Sequence, residues 1–179
     1  MKRHLSRLLI FFGVGIWLIA VGFMYIRSWK DRSPDNRSSP SIGHIAPDFE
    51  LINLSGQSIR LGDLRGHPVL INFWATWCGY CLQELPVIEE YYKRYASELI
   101  VLAVDVGDSL EDVRSVVTKY GFTFPVLRDP DSNVFRQYRL DSFPATFVLD
   151  TKGIVLVKHQ GYMSENKLVE YLNKVGLSK

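Results

Sequence analysis

The stretch Trp77-Cys78-Gly79-Tyr80-Cys81 contains both cysteines of this 179-residue chain. It separates an apolar run, Val69 to Trp74, from an amphipathic helical pattern, Glu84 to Tyr95. A cysteine at the first turn of a helix lies near unsatisfied N–H groups and the positive end of the helix dipole, which favour its thiolate. We therefore predict that Cys78 is a nucleophile. Two intervening residues let Cys81 reach Cys78 within one helical turn, so Cys81 can resolve a mixed disulfide.

A structural zinc site is the alternative use of such a cysteine pair. Zinc normally requires four protein ligands in a structural site, and two cysteines supply only half of them. The histidines that could complete the set show no paired spacing. They are His4, His44, His67 and His159. The pattern therefore favours a redox-active disulfide, and we predict neither a metal nor a cofactor.

The composition is that of one globular domain with an additional segment. Apolar residues make up 47% of the chain and charged residues 22%, with a formal net charge of +2, which excludes fibrous and disordered classes. There is no long basic block and no basic face interleaved with aromatic residues, so we expect no nucleic-acid partner.

The additional segment lies at the N-terminus, where residues 8–26 form an uncharged run of 19 residues. That length suffices to cross a bilayer as one helix. A cleaved signal peptide is the alternative, but its apolar region is usually about 7–15 residues long and ends in a small-x-small site. Only Ala20-Val21-Gly22, inside the run, resembles such a site. We therefore predict an uncleaved transmembrane anchor.

The orientation of this anchor does not follow from charge alone, because basic residues are almost balanced on its two sides. With only seven residues before the span, the simplest topology leaves the short N-terminus in the cytoplasm and the domain outside. Residues 27–43 are rich in serine, proline and charge, which is typical of a solvated linker. We place the folded domain at residues 44–179 and expect it on the extracytoplasmic side of the cell membrane.

The remaining pattern predicts an α/β domain with a mixed sheet. A hairpin with its turn at Ser55-Gly56 precedes the buried strand at residues 68–75. Further strands are predicted at residues 99–106, 124–127, 145–150 and 154–159, and helices at 132–138 and 164–175. Ser109 and Asp112 resemble a capping box for another helix. We expect that helix to bury one stripe, formed by Leu110, Val113, Val117 and Tyr120.

Several motifs together resemble the thioredoxin superfamily. They are Phe73-Trp74-Ala75-Thr76-Trp77-Cys78-Gly79-Tyr80-Cys81, then Glu84 and Pro86, then Phe143-Pro144-Ala145-Thr146, and finally Asp150-x-x-Gly153. The opening Gly43-x-x-Ala46-Pro47-Asp48-Phe49 and the predicted anchor make the chain similar to the membrane-anchored branch typified by TlpA and ResA, with the cytochrome c maturation reductant CcmG as a close relative. The resemblance extends from about Gly43 to the C-terminus.

The resemblance implies a thioredoxin-like fold in which Pro144 is cis and packs against the disulfide. A fixed kink there would expose the backbone of Phe143 to an extended substrate segment. A trans proline at the start of an edge strand is the alternative. Trp77 should shield the disulfide and contact partners, unless it packs in the core. We thus predict Trp77, Phe143 and Pro144 as substrate-binding residues.

One departure from cytoplasmic thioredoxin concerns the base. Thioredoxin has a buried aspartate six residues before the first cysteine, where this chain has Asn72, and an amide cannot accept the proton. The branch resembled here has a glutamate at the position of Glu84. If desolvated, Glu84 would have a raised pKa and could take the proton of Cys81. Otherwise it is an exposed carboxylate that complements the helix dipole.

The predicted function is a membrane-tethered thiol-disulfide oxidoreductase with Cys78, Cys81 and Glu84 as catalytic residues. The resemblance points to reduction of disulfide-bearing client proteins, including the haem-attachment cysteines of apocytochrome c, with electrons from a membrane thiol-disulfide donor. A thiol peroxidase of the peroxiredoxin type is one alternative, although peroxiredoxins have threonine and proline where this chain has Ala75 and Ile71. A chaperone-like binding module without enzymatic activity is the other.

Overall fold

The computed structural model describes residues 40–177, which form a seven-stranded mixed sheet in the order β2-β1-β5-β4-β3-β6-β7. The three central strands β5, β4 and β3 run parallel, and the outer pairs are antiparallel. The strands are β1 (Glu50–Asn53), β2 (Ser58–Arg60), β3 (Val69–Trp74), β4 (Ile100–Val106), β5 (Val126–Asp129), β6 (Ala145–Leu149) and β7 (Val155–Gln160). The α-helices are α1 (Gly79–Arg94), α2 (Leu110–Tyr120), α3 (Asn133–Gln137) and α4 (Glu165–Asn173).

Strand β3 is the centre of the domain, and all six of its residues are buried. It lies between β4, to which it is parallel, and β6, to which it is antiparallel. A strand covered on both faces needs apolar side chains at nearly every position, which accounts for the run that the sequence displays, in which Asn72 is the one polar residue. The predicted central strand is confirmed, and it delivers the chain to the cysteine motif at the carboxyl edge of the parallel strands.

Helix α1 begins five residues earlier than the amphipathic pattern indicates. Its N-cap is Cys78, whose Sγ accepts a hydrogen bond from the N–H of Cys81 at 3.2 Å. The first turn is therefore built by the cysteine motif itself, whose two inner residues are exposed and leave no apolar periodicity to detect. The predicted place of Cys78 at a helix N-terminus is confirmed.

Helix α2 is capped as predicted, because the Oγ of Ser109 accepts a hydrogen bond from the N–H of Asp112 at 3.1 Å. The predicted buried stripe is wrong at both ends. Val113 is fully buried, but Leu110 is 37% exposed and Tyr120 is 38% exposed. These two are the first and last residues of the helix.

The predicted anchor, residues 8–26, lies outside the described residues, as does most of the predicted linker. In the part of the chain that the structure describes, no helix is long and apolar enough to span a bilayer. The first backbone contacts to the sheet come from Gly43 and Ala46, whose N–H groups donate to the carbonyls of Val155 and Gly153.

Candidate active site

The site is built around a disulfide between Cys78 and Cys81, with an S–S distance of 2.02 Å. Cys78 ends the loop after β3 and Cys81 lies in the first turn of α1. Cys78 is 7% exposed, whereas Cys81 is completely buried. A partner sulfur can therefore approach Cys78 but not Cys81, which supports the predicted order of attack.

The Phe143–Pro144 peptide bond is cis, as the resemblance implied, and the alternative of a trans proline is wrong. The Phe143 ring packs against Trp77, with ring centroids 5.7 Å apart and planes at 81°. Within residues 40–177, the N–H and C=O groups of Phe143 make no backbone hydrogen bond. They are available to pair with an extended peptide beside the disulfide.

Exposed aromatic rings flank the sulfur that a partner can reach. Trp77 precedes Cys78 and is 72% exposed, so the alternative of core packing is wrong. On the other side, Tyr80 is also exposed and lies 6.1 Å from the ring of Tyr162. Large exposed rings next to a reactive group offer apolar contact area at little cost in conformational entropy.

Glu84 is buried, one helical turn after Cys81. The Nδ2 of Asn72 donates to its Oε1 at 2.7 Å, and the N–H of Met163 donates to its Oε2 at 2.8 Å. Burial raises the pKa of Glu84 to about 7, and the two hydrogen bonds oppose that rise. Of the two alternatives that the sequence left open for Glu84, the structure shows the desolvated one, and the exposed one is wrong. At neutral pH the carboxyl group can both accept and release a proton.

Glu89, a second buried acid on the same helix, shows that burial alone does not determine the pKa of a carboxyl group. Burial would raise the pKa of Glu89, but hydrogen bonds from Thr123, Lys93 and the backbone of Phe124 outweigh it, and the pKa is lowered. The Thr123 hydroxyl donates to Oε1 at 2.6 Å, and the Lys93 ammonium lies 2.9 Å from the same oxygen. The lowered pKa of Glu89 favours its carboxylate form, which joins α1 to the loop before β5, whereas the pKa of Glu84 is raised.

Asp105, at the end of β4, is a third buried acid near the site. It pairs in register with Trp74 on β3 and with Arg128 on β5. Burial, with Asp108 beside it, raises the pKa of Asp105 to about 8. At pH 7 Asp105 is therefore mostly protonated, so Glu84 is more often in the ionised form that can accept a proton.

The structure brings all the sequence-predicted site residues to the carboxyl edge of β3. Three contributors to the site were not predicted as functional: the Thr146 hydroxyl, which accepts a hydrogen bond from the Nδ2 of Asn72 at 3.0 Å, the N–H of Met163 and the ring of Tyr162. A polar residue within a buried strand could have indicated Thr146, which is an interruption in the apolar run of β6. The other two act through backbone or through a loop, for which the sequence gives no periodic signal.

A mixed sheet flanked by helices, carrying a Cys-x-x-Cys disulfide at a helix N-terminus beside a cis-proline, defines a thiol-disulfide oxidoreductase with a thioredoxin-like fold. The chain belongs to the AhpC/TSA family, whose model matches residues 42–158. This match, together with relatives named as thiol-disulfide oxidoreductase ResA, confirms the resemblance predicted from the cysteine and proline motifs.

Individual relatives agree with this assignment. The chain is 40% identical over 134 residues to the thioredoxin-like protein YneN of Bacillus subtilis, with 73% of this chain and 78% of that protein covered. It is 36% identical over 140 residues to the thiol-disulfide oxidoreductase ResA of the same organism, with 78% of each covered. Among solved structures, a candidate thiol:disulfide interchange protein DsbE from Chlorobium tepidum is 32% identical, with a TM-score of 0.70 and coverage of 78% of this chain and 97% of that chain.

Proposed function

We propose that this oxidoreductase reduces disulfides of client proteins outside the cytoplasm, with residues 8–26 as its membrane anchor. The observation that carries the proposal is an accessible Cys78 paired with a buried Cys81, one helical turn from an acid that titrates near pH 7. Such a site can complete both steps of disulfide exchange without a base from solvent.

Reduction of a client disulfide takes two exchange steps, and in each step one S–S bond forms as another breaks. In the reduced protein, the Cys78 thiolate attacks one sulfur of the client disulfide, and the other client sulfur leaves as a thiolate. Cys81 then gives its proton to Glu84 and attacks the Sγ of Cys78, which releases the second client thiolate. Two electrons have moved to the client, and the protein holds the disulfide present in this structure. A membrane thiol-disulfide donor must return two electrons before the next cycle.

The residues between the cysteines support reduction over oxidation. Gly79 and Tyr80 carry no charge, so the thiolate of Cys78 is stabilised by the helix terminus and by no adjacent cation. A strong oxidant needs a strongly stabilised thiolate, because stabilising the reduced form is what makes its disulfide oxidising. Gly79 and Tyr80 do not supply that additional stabilisation. The resemblance to the cytochrome c maturation reductants supports apocytochrome c, with its haem-binding cysteines, as a client.

Trapping of the mixed disulfide tests the proposed direction and client class. Cys81→Ala removes the resolving sulfur, so Cys78 should remain bonded to its client. We expect the full-length variant, expressed in a bacterium that makes c-type cytochromes, to accumulate adducts that dithiothreitol releases and that contain apocytochrome c. Cys78→Ala, Cys81→Ala is the control and should form none. Peroxide consumption without protein adducts would favour the peroxidase, and thiol-independent holding activity would favour the chaperone-like module.

Protease treatment of intact cells tests the proposed location. Solvated linkers are the preferred sites of proteolysis, so external protease should cut within residues 28–42 and release the folded domain. The measurement is the size of the fragment that antibodies against the domain detect outside the cells. Cleavage that occurs only after lysis would place the domain in the cytoplasm and contradict the proposed topology.

A further inference from the structure

A row of polar side chains crosses three strands beneath Glu84. Asn72 of β3 pairs in register with Thr146 of β6, which pairs with His159 of β7. Side chains of paired residues in neighbouring strands lie on the same face of a sheet. The Nδ2 of Asn72 donates to the Thr146 Oγ1 at 3.0 Å as well as to Glu84. The row thus extends from the active site towards the outer strand, where His159 lies.

His159 reaches Glu84 through one peptide group. The Nε2 of His159 lies 3.2 Å from the carbonyl oxygen of Tyr162. The N–H on the other side of that peptide bond belongs to Met163, and it donates to the Oε2 of Glu84 at 2.8 Å. Because a peptide group is planar and rigid, an interaction that holds its C=O also fixes the direction of its N–H.

The hydrogen-bonding partners of His159 determine which of its nitrogens carries the proton. A carbonyl oxygen can only accept, so Nε2 must be the donor to Tyr162. In the neutral ring Nδ1 is then an acceptor, and the hydroxyl of Tyr171, 3.0 Å away, donates to it. Tyr171 comes from α4. Its hydroxyl holds the ring in the tautomer that the contact with Tyr162 requires.

The segment that carries this peptide group needs such a restraint. It follows Gly161, which has a φ of +92°, a region that glycine enters freely and that gives the backbone additional freedom. The N–H of Gly161 donates to the carbonyl of Pro144 at 2.8 Å, which fixes the start of the segment. Two residues further on, the direction of the Met163 N–H depends on contacts made by Tyr162 and Met163 themselves.

We propose that His159 and Tyr171 are positioning residues for Glu84, which hold the Tyr162–Met163 peptide group so that its N–H donates to the carboxylate. The inference rests on the proposed role of Glu84 as the base for Cys81. The side chains of His159 and Tyr171 do not contact the sulfurs, so these two residues act through the proton affinity of Glu84. Two charged groups lie near Tyr171: the ammonium nitrogens of Lys167 and Lys174 are 6.0 and 5.7 Å from the centre of its ring.

The test measures the protonation of Glu84 directly. Full-length protein in detergent micelles, labelled with 13C at the glutamate carboxyl carbons, is titrated by NMR, and Glu84→Gln assigns the signal. In His159→Phe the Met163 N–H is no longer held towards the carboxylate. Since that bond favours the charged form, we expect the titration midpoint of Glu84 to rise by about 0.5 to 1 pH unit. Tyr171→Phe should shift it in the same direction by less, because only the tautomer restraint is lost.

Matched substitutions and a rescue make the result specific. His67→Phe and Tyr120→Phe change the same residue types away from the site and should leave the midpoint unchanged. His159→Gln offers an amide N–H to the Tyr162 carbonyl and should restore part of the shift. If His159→Phe does not fold, Tyr171→Phe decides the question. A midpoint in both variants equal to that of the controls overturns the inference.

The same samples separate this inference from the proposed function. The rate at which Cys81 resolves a mixed disulfide is measured across pH in each variant. A midpoint that shifts while the pH profile of resolution stays in place supports the positioning role but contradicts Glu84 as the base. A midpoint that stays in place while Glu84→Gln alone abolishes the profile supports the base and overturns the positioning role.

Discussion

Cys78→Ser is expected to reduce disulfide exchange by ~10³-fold or more while leaving the fold intact. The serine hydroxyl is nearly the same size as the thiol, but it is not ionised at neutral pH and cannot attack a disulfide. Cys78 is also the sulfur that a partner can reach, since Cys81 is completely buried. The measurement is reduction of insulin with dithiothreitol as electron source, accompanied by circular dichroism to verify the fold.

Cys81→Ser is the matched control, because it makes the same change in the other cysteine. It should still form a mixed disulfide in a single encounter but should fail to turn over. The two variants therefore differ in a product that mass spectrometry can detect. Adducts formed by Cys78→Ser and not by Cys81→Ser would reverse the roles assigned to the two sulfurs.

Glu84→Gln is expected to slow resolution of the mixed disulfide roughly 100-fold, the lower end of what a positioned base contributes. Cys81 is buried, so water is a poor acceptor for its proton, and Asn72 has no basic group. The first attack by Cys78 should change less, because its thiolate is already favoured by the helix N-terminus. Rapid-mixing experiments with a fluorescent client disulfide separate the two steps.

The rate at which Cys81 resolves the mixed disulfide should increase with pH. Below its pKa of about 7, Glu84 is protonated and cannot accept a proton, so the rate of resolution should rise as the pH increases through 7 and then level off. The titration belongs to the Glu84–Cys81 pair as a coupled unit, and the variant should lose it. Glu90→Gln, on an exposed glutamate of the same helix, should retain the native profile. Native rates and a native profile in Glu84→Gln would reduce Glu84 to a structural residue.

Stability provides an independent check on the same group. The pKa of Glu84 is raised from 4.5 to about 7 in the folded protein, so the folded state binds the proton more tightly than the unfolded state does. Its contribution to stability is fully present below pH 4.5 and is lost as the pH rises through 7. The free energy of unfolding of the native protein, relative to Glu84→Gln, should therefore fall by about 3 kcal/mol over that interval. Urea denaturation at several pH values measures it.

Much of the fold follows from local patterns in the sequence. The run that became β3 was predicted as a buried strand because five of its six residues are apolar. The cap at Ser109 and the hairpin of β1 and β2, with its turn at Ser55-Gly56, were predicted from capping and turn chemistry, which depend on neighbouring residues alone. The stripe on α2 failed at Leu110 and Tyr120, since periodicity indicates a face of a helix but not which positions on that face the folded chain covers.

The sequence by itself determined the chemistry of this protein: two cysteines at the spacing of one helical turn, a proline before an apolar strand, and Asn72 in place of an acid. The sequence did not determine whether Glu84 has a raised or a lowered pKa, because Glu84 and Glu89 are the same residue type on the same helix. Only the tertiary structure decided between them. Thr123 and Lys93 surround Glu89 with donors and lower its pKa, whereas Glu84 is buried with the Met163 N–H and the Asn72 amide as its partners and keeps a raised pKa. The proton affinity of a carboxyl group depends on its desolvation and its donors, and these come from elements far apart in the sequence.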